Sequence, residues 1–300
     1  MTTAPRLSVV VLSYERVAYL RQALDALASQ VARDDEILVV DNASPSREAI
    51  DAVLAGHPAV RLVRPSANLG FTGGMNLGLQ SARGAYVLLT EDDLVLEPGC
   101  LTALLQCATG APDDAIVAGV MVDHGTTRVR AAGGELALGP PLTLRLVGAG
   151  QDVTALPTEP YDVTFLPGGF LLARRTTFEA LGGFRAAYFM YFEDVELCLR
   201  ARRRGVRLVM VPAARVTHLP PIPVPGATNL KYHMVKNMLA TYLLHAPLRR
   251  LPAVAARYGL REGVGRLRAG RVEFVPFVRA WLWTIAHAPA LLAERARSDR

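Results

Sequence analysis

Short β-branched runs separated by stretches of helical periodicity fill the first two-thirds of the chain, and that alternation restricts the fold more than any other feature. The run LSVVVLSY (Leu7–Tyr14) has the length and composition of a buried strand. VAYLRQALDALASQ follows, with Leu20, Leu24 and Leu27 at helical spacing. EILVVDNAS reads as a second strand that closes in turn and helix-cap residues, and AVRLVRP as a third. GFTGGMNLGLQSARG is a glycine-rich turn opening a helix, and AYVLLT is a fourth strand. Such alternation predicts an α/β fold, a parallel sheet with crossover connections. Ligands of these sheets sit beyond the carboxyl ends of the strands. Asp41, the Asn68–Asn76 loop and Glu91–Asp93 all fall at or just past those ends.

From Gly110 to Thr164 the pattern weakens, and HGTTRVRAAGGELALGPPLTLRLVGAGQD reads as hairpins and loops. VTFLPGGFLLARRTTFEALGGF is a strand interrupted by Pro167-Gly168-Gly169 and followed by a helix. A further helix is expected from about Asp194 to Arg204, then a strand, VRLVMVPAARVTH, ending near His218. LPPIPVPG holds four prolines in eight residues and reads as a linker to helical segments around Leu230–Leu244 and Phe274–Ala293. Charge divides the chain at the same place. Gly226 to Arg300 carries 13 Lys and Arg against 4 Asp and Glu, whereas the first 225 residues carry 20 against 23. Two units are expected, 1–225 and a basic helical segment 226–300 with a partner of its own.

Four constellations bear on chemistry. In TEDDLVLEP, Glu91, Asp92 and Asp93 crowd like charge behind a buried strand, which calls for a cation or for a solvated turn. Mg2+ or Mn2+, which take carboxylate together with phosphate oxygens, suit such a cluster. NLGFTGGMNLG (Asn68–Gly78) offers close backbone approach and a helix N-terminus to a phosphate, without matching the dinucleotide or P-loop signatures. In FEDVELCLR, Glu193-Asp194 opens a helix behind Tyr188-Phe189-Met190-Tyr191, which suits both a helix cap and a general base at a pocket mouth. His218 ends an apolar strand, either as a structural residue or as an imidazole completing a metal site. RARRRGVR is a basic helix end without a nucleic-acid motif, so a solvated face is expected and no nucleic-acid partner. Three cysteines without metal-ligand spacing fit reduced thiols in the cytoplasm. The six-residue apolar core near the N-terminus is short for a signal peptide, and no run reaches 18 clean apolar residues.

In this order, VVVLSYER, ILVVDNAS, NLGFTGGMNLG, LLTEDDLVLEP, LPGGFLLARR, MYFEDVELCLRARRRG and ARVTH resemble the motifs of family-2 glycosyltransferases of the GT-A fold. The chain is most similar to bacterial rhamnosyltransferase-like enzymes that extend cell-surface polysaccharides. The resemblance runs from about Ser8 to His218, and more loosely through NLKYHMVKNMLATYLLHAP. It implies a Rossmann-like, mostly parallel sheet flanked by helices, with a C-terminal helical appendage. The nucleotide-binding half would span about 1–110 and the acceptor-binding half about 111–225.

The resemblance also assigns roles. Ser13 and Tyr14 would line the nucleobase pocket, with Asp41 bonding the base ring and Asn42 beside it. Asn68, Gly70, Phe71, Gly74 and Asn76 would follow the nucleotide and donor sugar, with Asp92 on the same side. Asp93 matches the last acid of the metal motif, with Glu91 as partner and His218 as a third ligand. Many relatives have Asn-Pro-Asp or Asp-Asp-Asp where this chain has Glu91-Asp92-Asp93, so whether Glu91 or Asp92 touches the metal stays open. Gly168, Gly169 and Glu193 would shape the floor between donor and acceptor, and Asp194 matches the base.

The implied enzyme is an inverting, metal-dependent hexosyltransferase using Mn2+ or Mg2+. Its donor would be a dTDP- or UDP-sugar, dTDP-rhamnose first among them. Its acceptor would be a hydroxyl on a glycan, a lipid-linked saccharide or a natural product. A sugar nucleotidyltransferase is the rival enzyme, but it needs a lysine-bearing loop near the N-terminus, and the lysines here are Lys231 and Lys236. A non-catalytic sugar-nucleotide-binding scaffold is the other rival, and Asp93, Asp194 and His218 together argue against it. Phe274–Ala293, with Trp281, Trp283 and flanking arginines, reads as a helix lying in a membrane interface. The alternative is packing on the catalytic domain or on a second subunit of a homodimer. A cytoplasmic enzyme is expected, peripheral at the inner face of the cell membrane where its acceptor is lipid-linked.

Overall fold

The computed structural model describes residues 5–110, 114–222 and 230–298, so the expected boundary at 225/226 lies outside the described residues. Four parallel strands build the N-terminal half: β1 (Leu7–Ser13), β2 (Glu36–Asp41), β3 (Val60–Val63) and β4 (Tyr86–Glu91), in the order β3-β2-β1-β4. Three further strands are β5 (Leu94–Leu96), β6 (Ala115–Asp123) and β7 (Val129–Ala131). Then come β8 (Gly134–Ala137), β9 (Thr143–Leu146), β10 (Tyr161–Asp162), β11 (Phe170–Arg174) and β12 (Arg207–His218). Beyond β4 the sheet continues β11-β6-β12-β10. In this half β11 runs antiparallel to both neighbours and β12 parallel to β6. β5 pairs with the end of β12, β7 with β6, and β8 with β9 in a separate hairpin.

All seven residues of β1 are buried because both faces of the sheet are covered. Val10 and Leu12 face one core, with Met75 and Leu79 of α3 (Gly70–Ser81). Phe178 of α5 (Arg175–Leu181) and Leu197 of α6 (Glu193–Arg203) join that core. Val9 and Val11 face the other, with Leu20, Leu24 and Leu27 of α1 (Val17–Ala28). Ile50 and Val53 of α2 (Arg47–Ala55) and Leu104 of α4 (Cys100–Gly110) complete it. The period-2 alternation of one strand thus feeds two helical layers.

The stretch read as hairpins and loops holds β7 and the β8-β9 hairpin. Just before it, where the pattern weakens and no element was expected, β6 is a nine-residue strand inside the sheet, buried except at its last residue. Its sequence AIVAGVMVD is diluted by Ala and Gly, and the close packing explains the small residue: a Cβ on Gly119 would lie 2.6 Å from the Ala214 carbonyl oxygen.

The C-terminal segment contains α7 (Leu230–His245), α8 (Leu251–Val254), α9 (Glu262–Arg268) and α10 (Arg271–Ser298), with a π-helical turn at Ala255–Arg261. α7 packs along α10 through Val235, Leu239, Tyr242, Phe277 and Ala280. The pair docks on the catalytic part. His245 Nε2 lies 3.2 Å from Glu196, Glu294 pairs with Arg185 at 2.7 Å, and the Tyr188 and Thr241 hydroxyls are 2.8 Å apart. Among the described residues no helix is long and apolar enough to cross a membrane.

Candidate active site

Parallel pairing sets the carboxyl ends of β1, β2 and β4 side by side. Ser13 is in register with Asp41, and Leu12 with Glu91. Asp92 continues past β4 and donates its amide to the Leu12 carbonyl at 3.1 Å. The acidic triplet therefore faces the turn that leaves β1, and that turn supplies a cation. Arg16 pairs with Asp93, lies 2.7 Å from Asp92 and 3.5 Å from Glu91. Asp92 is fully buried, which pushes its carboxyl up to about 7 despite the attraction of Arg16. Glu91 is held above the usual range by burial and by the charge of Asp93. Asp93 Oδ1 is buried without a hydrogen-bond partner among the described residues.

Across the site stands Asp194, in the first turn of α6. It is not the cap: Phe192 takes that position, in the left-handed region, and makes no side-chain cap bond. Asp194 Oδ1 accepts from the Val195 amide at 2.7 Å. Burial pushes its carboxyl up to about 6, while the Val195 and Gly168 amides hold it from rising further. Glu193 is nearly fully buried and is raised well above the usual range by that burial and by Asp194. The two acidic groups meet at the glycine pair before β11. A Cβ on Gly168 would lie 3.0 Å from Cβ of Asp194, and one on Gly169 would lie 2.7 Å from Oε1 of Glu91. Any side chain at either glycine would collide with one of these acids.

His218 reaches the same edge. β12 pairs with β5 so that His218 stands opposite Leu94, and the Leu219 amide donates to the Asp93 carbonyl at 2.9 Å. Its Nδ1 lies 2.7 Å from the Leu219 carbonyl, to which it donates, and the ring is held by that bond. Among the described residues, however, no three His, Cys, Asp or Glu side chains converge as a finished metal site.

The loop residues divide into two groups. Asn42 donates to Asn68 Oδ1 at 3.1 Å and to the Gly70 carbonyl at 2.9 Å, and accepts from the Leu69 amide at 3.0 Å. Asp41, fully buried, is held by Arg64 at 2.5 Å and by the Ser44 amide at 3.0 Å. Asp41 stands in register with Ser13, so both lie at the strand edge that Tyr14 follows. Phe71, Gly74 and Asn76 turn elsewhere. Phe71 packs edge-on against Phe184, and Asn76 exchanges two hydrogen bonds with the Phe184 backbone. A Cβ on Gly74 would lie 2.4 Å from Leu12, and one on Gly78 2.2 Å from Val10, so these glycines let α3 close onto β1. Gly70 has φ +70 and sits against the Phe189 carbonyl.

Sequence reasoning missed three residues. Arg16 lay in a quoted motif, but its partners appear only once β1 and β4 are neighbours. Arg64 likewise meets Asp41 only in the fold. Asn237 of α7 carried no signal at all. It is fully buried, and its amide nitrogen lies 2.9, 2.8 and 2.7 Å from the carbonyls of Tyr188, Met190 and Tyr191. Those bonds hold a loop in which Phe189, Tyr191 and Phe192 all have positive φ, just ahead of Asp194.

Comparison with known proteins gives this geometry its context. An N-acetylglucosaminyl-diphospho-decaprenol L-rhamnosyltransferase of Mycobacterium tuberculosis is 29% identical over 232 residues, covering 71% of this chain and 75% of that protein. The rhamnosyltransferase WbbL of Escherichia coli is 46% identical over 56 residues, 19% of this chain and 21% of that one. In fold, the chain is similar to GalNAc-T7, solved with UDP, GalNAc and Mn2+, at TM-score 0.69 and 16% identity. That match covers 91% of this chain and 54% of GalNAc-T7. It is also similar to the mannosyltransferase PcManGT of Pyrobaculum calidifontis, solved with GDP-Man and Mn2+. There the TM-score is 0.56 and the identity 20%, over 99% of this chain and 81% of that one. The model of the family described as glycosyltransferase like family 2 matches residues 5–232, which takes in every strand of the sheet and every acid of the site: this chain belongs to that family.

Proposed function

We propose that this chain is an inverting glycosyltransferase that moves a sugar from a nucleotide diphosphate, a dTDP- or UDP-sugar with dTDP-rhamnose the first to test, to an acceptor hydroxyl. The acceptor belongs to a glycan, a lipid-linked saccharide or a natural product, met in the cytoplasm or at the inner face of the membrane. One observation carries the reading: Asp194 and Glu91 lie against two neighbouring residues without side chains, Gly168 and Gly169. A carboxylate at one glycine and an acid cluster at the next leave room where an anomeric carbon could sit between base and leaving group.

Asp194, raised to about 6, is largely ionised at neutral pH yet basic enough to accept a proton in the transition state. It would draw the proton from the acceptor hydroxyl as that oxygen attacks the anomeric carbon and the nucleotide diphosphate departs. Ser13, Tyr14, Asp41 and Asn42 would bound the nucleobase, with Asn68 and Gly70 shaping the loop over the donor. Mg2+ and Mn2+ bound with a nucleotide take one or two carboxylates and complete their shell with phosphate oxygens. The buried, unpartnered Asp93 Oδ1 fits that donor set, with Glu91 beside it and His218 at the edge. When bound, such an ion would offset the charge that builds on the diphosphate. Arg16 already neutralises part of the cluster and is placed to turn toward a phosphate.

The test is a thermal-shift series with and without Mn2+ across UDP, dTDP, GDP, UTP, dTTP and their sugar conjugates. A metal-dependent shift with UDP or dTDP that Asp93→Ala abolishes is the expected result. A shift confined to triphosphates would assign a nucleotidyltransferase instead.

A further inference from the structure

α10 is apolar on two sides, and the protein covers one of them. Phe274, Phe277, Val278 and Trp281 pack toward α7. Val272, Val275, Leu282 and Ile285 are exposed, from 47% to 77%, and lie within an arc of roughly 140° at 3.6 residues per turn. The π-helical turn and α9, which packs on α10, repeat the pattern at i, i+4, i+7: Leu260 in the turn is 72% exposed, and Val264 and Leu267 in α9 are 49% and 59% exposed. A helix apolar all round belongs in a core or against lipid, and an uncovered stripe of this kind marks an interaction surface.

Charge identifies the partner. From Leu248 to Ser298 there are ten arginines, three glutamates, and no lysine or aspartate. Glu273 is taken up by Lys231 and Arg266, and Glu294 by Arg185. Arg249, Arg261, Arg268 and Arg271 are exposed and form no ion pair among the described residues. A shallow hollow of about 530 Å³ on this side is lined by Arg257, Arg261 and Arg266 with Glu262 and Glu273, a net positive lining. A protein partner would need acidic side chains around an apolar ridge. An anionic leaflet supplies both halves at once, acyl chains for the leucines and phosphates for the arginines.

We infer that the π-helical turn, α9 and α10 form a docking face that lays this protein on an anionic lipid surface, with Leu260, Val264, Leu267, Leu282 and Ile285 inserted and Arg261, Arg268 and Arg271 on the headgroups. The face lies in the surface and does not span it, in keeping with Pro276, Arg279 and Pro289 inside α10. It deepens the transferase reading, on which only its purpose rests: it would bring the enzyme to an acceptor carried on lipid.

The experiment is cosedimentation of the full chain with sucrose-loaded vesicles of phosphatidylcholine alone and of phosphatidylcholine with phosphatidylglycerol. Wild type should pellet with the anionic vesicles and hardly with the neutral ones. Leu260→Glu/Leu267→Glu and Leu282→Glu/Ile285→Glu should each abolish pelleting. Replacing one of the three arginines by Ala should weaken it about fivefold. No pelleting of wild type, equal pelleting on neutral vesicles, or unaltered pelleting of the glutamate variants would overturn the proposal. So would a dimer in light scattering that the glutamate variants dissolve, since the face would then belong to a second copy. Nucleotide thermal shifts on the same variants separate the two readings. Preserved shifts with lost pelleting concern the surface alone, and lost shifts with preserved pelleting concern the transferase alone.

Discussion

Arg16, in the turn after β1, donates to Asp93, 77 residues further along the chain, and lies 2.7 Å from the buried Asp92. One guanidinium thus offsets an acid cluster that would otherwise stand uncompensated. Arg16→Ala should lower stability by about 3 kcal/mol, the lower end of what removing one partner of a buried pair costs. Mn2+ should then raise the melting temperature of this variant more than that of wild type. Equal metal responses would mean that Arg16 and a metal do not serve the same carboxylates.

The same cluster sets a pH dependence of stability. Asp92 is raised from 3.8 to about 7, and Glu91 is raised above 4.5, so over this range the folded chain holds protons that the unfolded chain has released. Stability therefore falls as pH rises through these folded values. Melting temperature should drop from about pH 4 to about pH 7, and Asp92→Asn should flatten the drop. A profile unchanged by that substitution would locate the titration elsewhere.

For catalysis, the base must be ionised. With Asp194 at about 6, the turnover rate should fall on the acid side with a midpoint near that value. Asp194→Asn should reduce the rate about 10²- to 10⁴-fold while leaving nucleotide thermal shifts intact. Loss of nucleotide binding in this variant would make Asp194 structural.

Asn237 reaches the site from the C-terminal segment. Asn237→Ala removes both amide hydrogens from the group of three loop carbonyls, of which only Tyr188 keeps a donor among the described residues, the Met190 amide, and this should cost about 1–3 kcal/mol. Because the loop leads into Asp194, the variant should also lose kcat with little change in donor KM. Intact kinetics in a destabilised protein would limit Asn237 to holding the fold.

Gly78→Ala distinguishes two uses of a glycine-rich turn. Its Cβ would meet Val10 at 2.2 Å, so overpacking should cost about 1–3 kcal/mol and leave nucleotide affinity unchanged. Weakened nucleotide binding at unchanged stability would restore the phosphate-cradle reading for this part of the turn.

Much of the site could be read from the chain because parallel strands end on one side. Once LSVVVLSY, EILVVD and AYVLLT are strands, Ser13, Asp41 and Glu91 must share an edge, and the structure puts them there. Glycines were less legible. NLGFTGGMNLG announces close approach without saying to what, and for Gly74 and Gly78 the answer is β1 itself. β6 escaped because its small residues thin the apolar signal that marks a strand. Arg16, Arg64 and Asn237 escaped for a different reason: each acts on a partner that only the folded sheet or the docked α7 brings near.

The family match stops at residue 232, five residues before the side chain that clasps the loop ahead of Asp194. The stretch that the family match covers and the unit that works are therefore not the same length. A chimera that joins this catalytic half to a relative's tail at the edge of similarity would inherit the acids intact and lose the hold on one of them. Exchanges meant to redirect the acceptor should be spliced beyond α7, so that the graft and the clasp travel together.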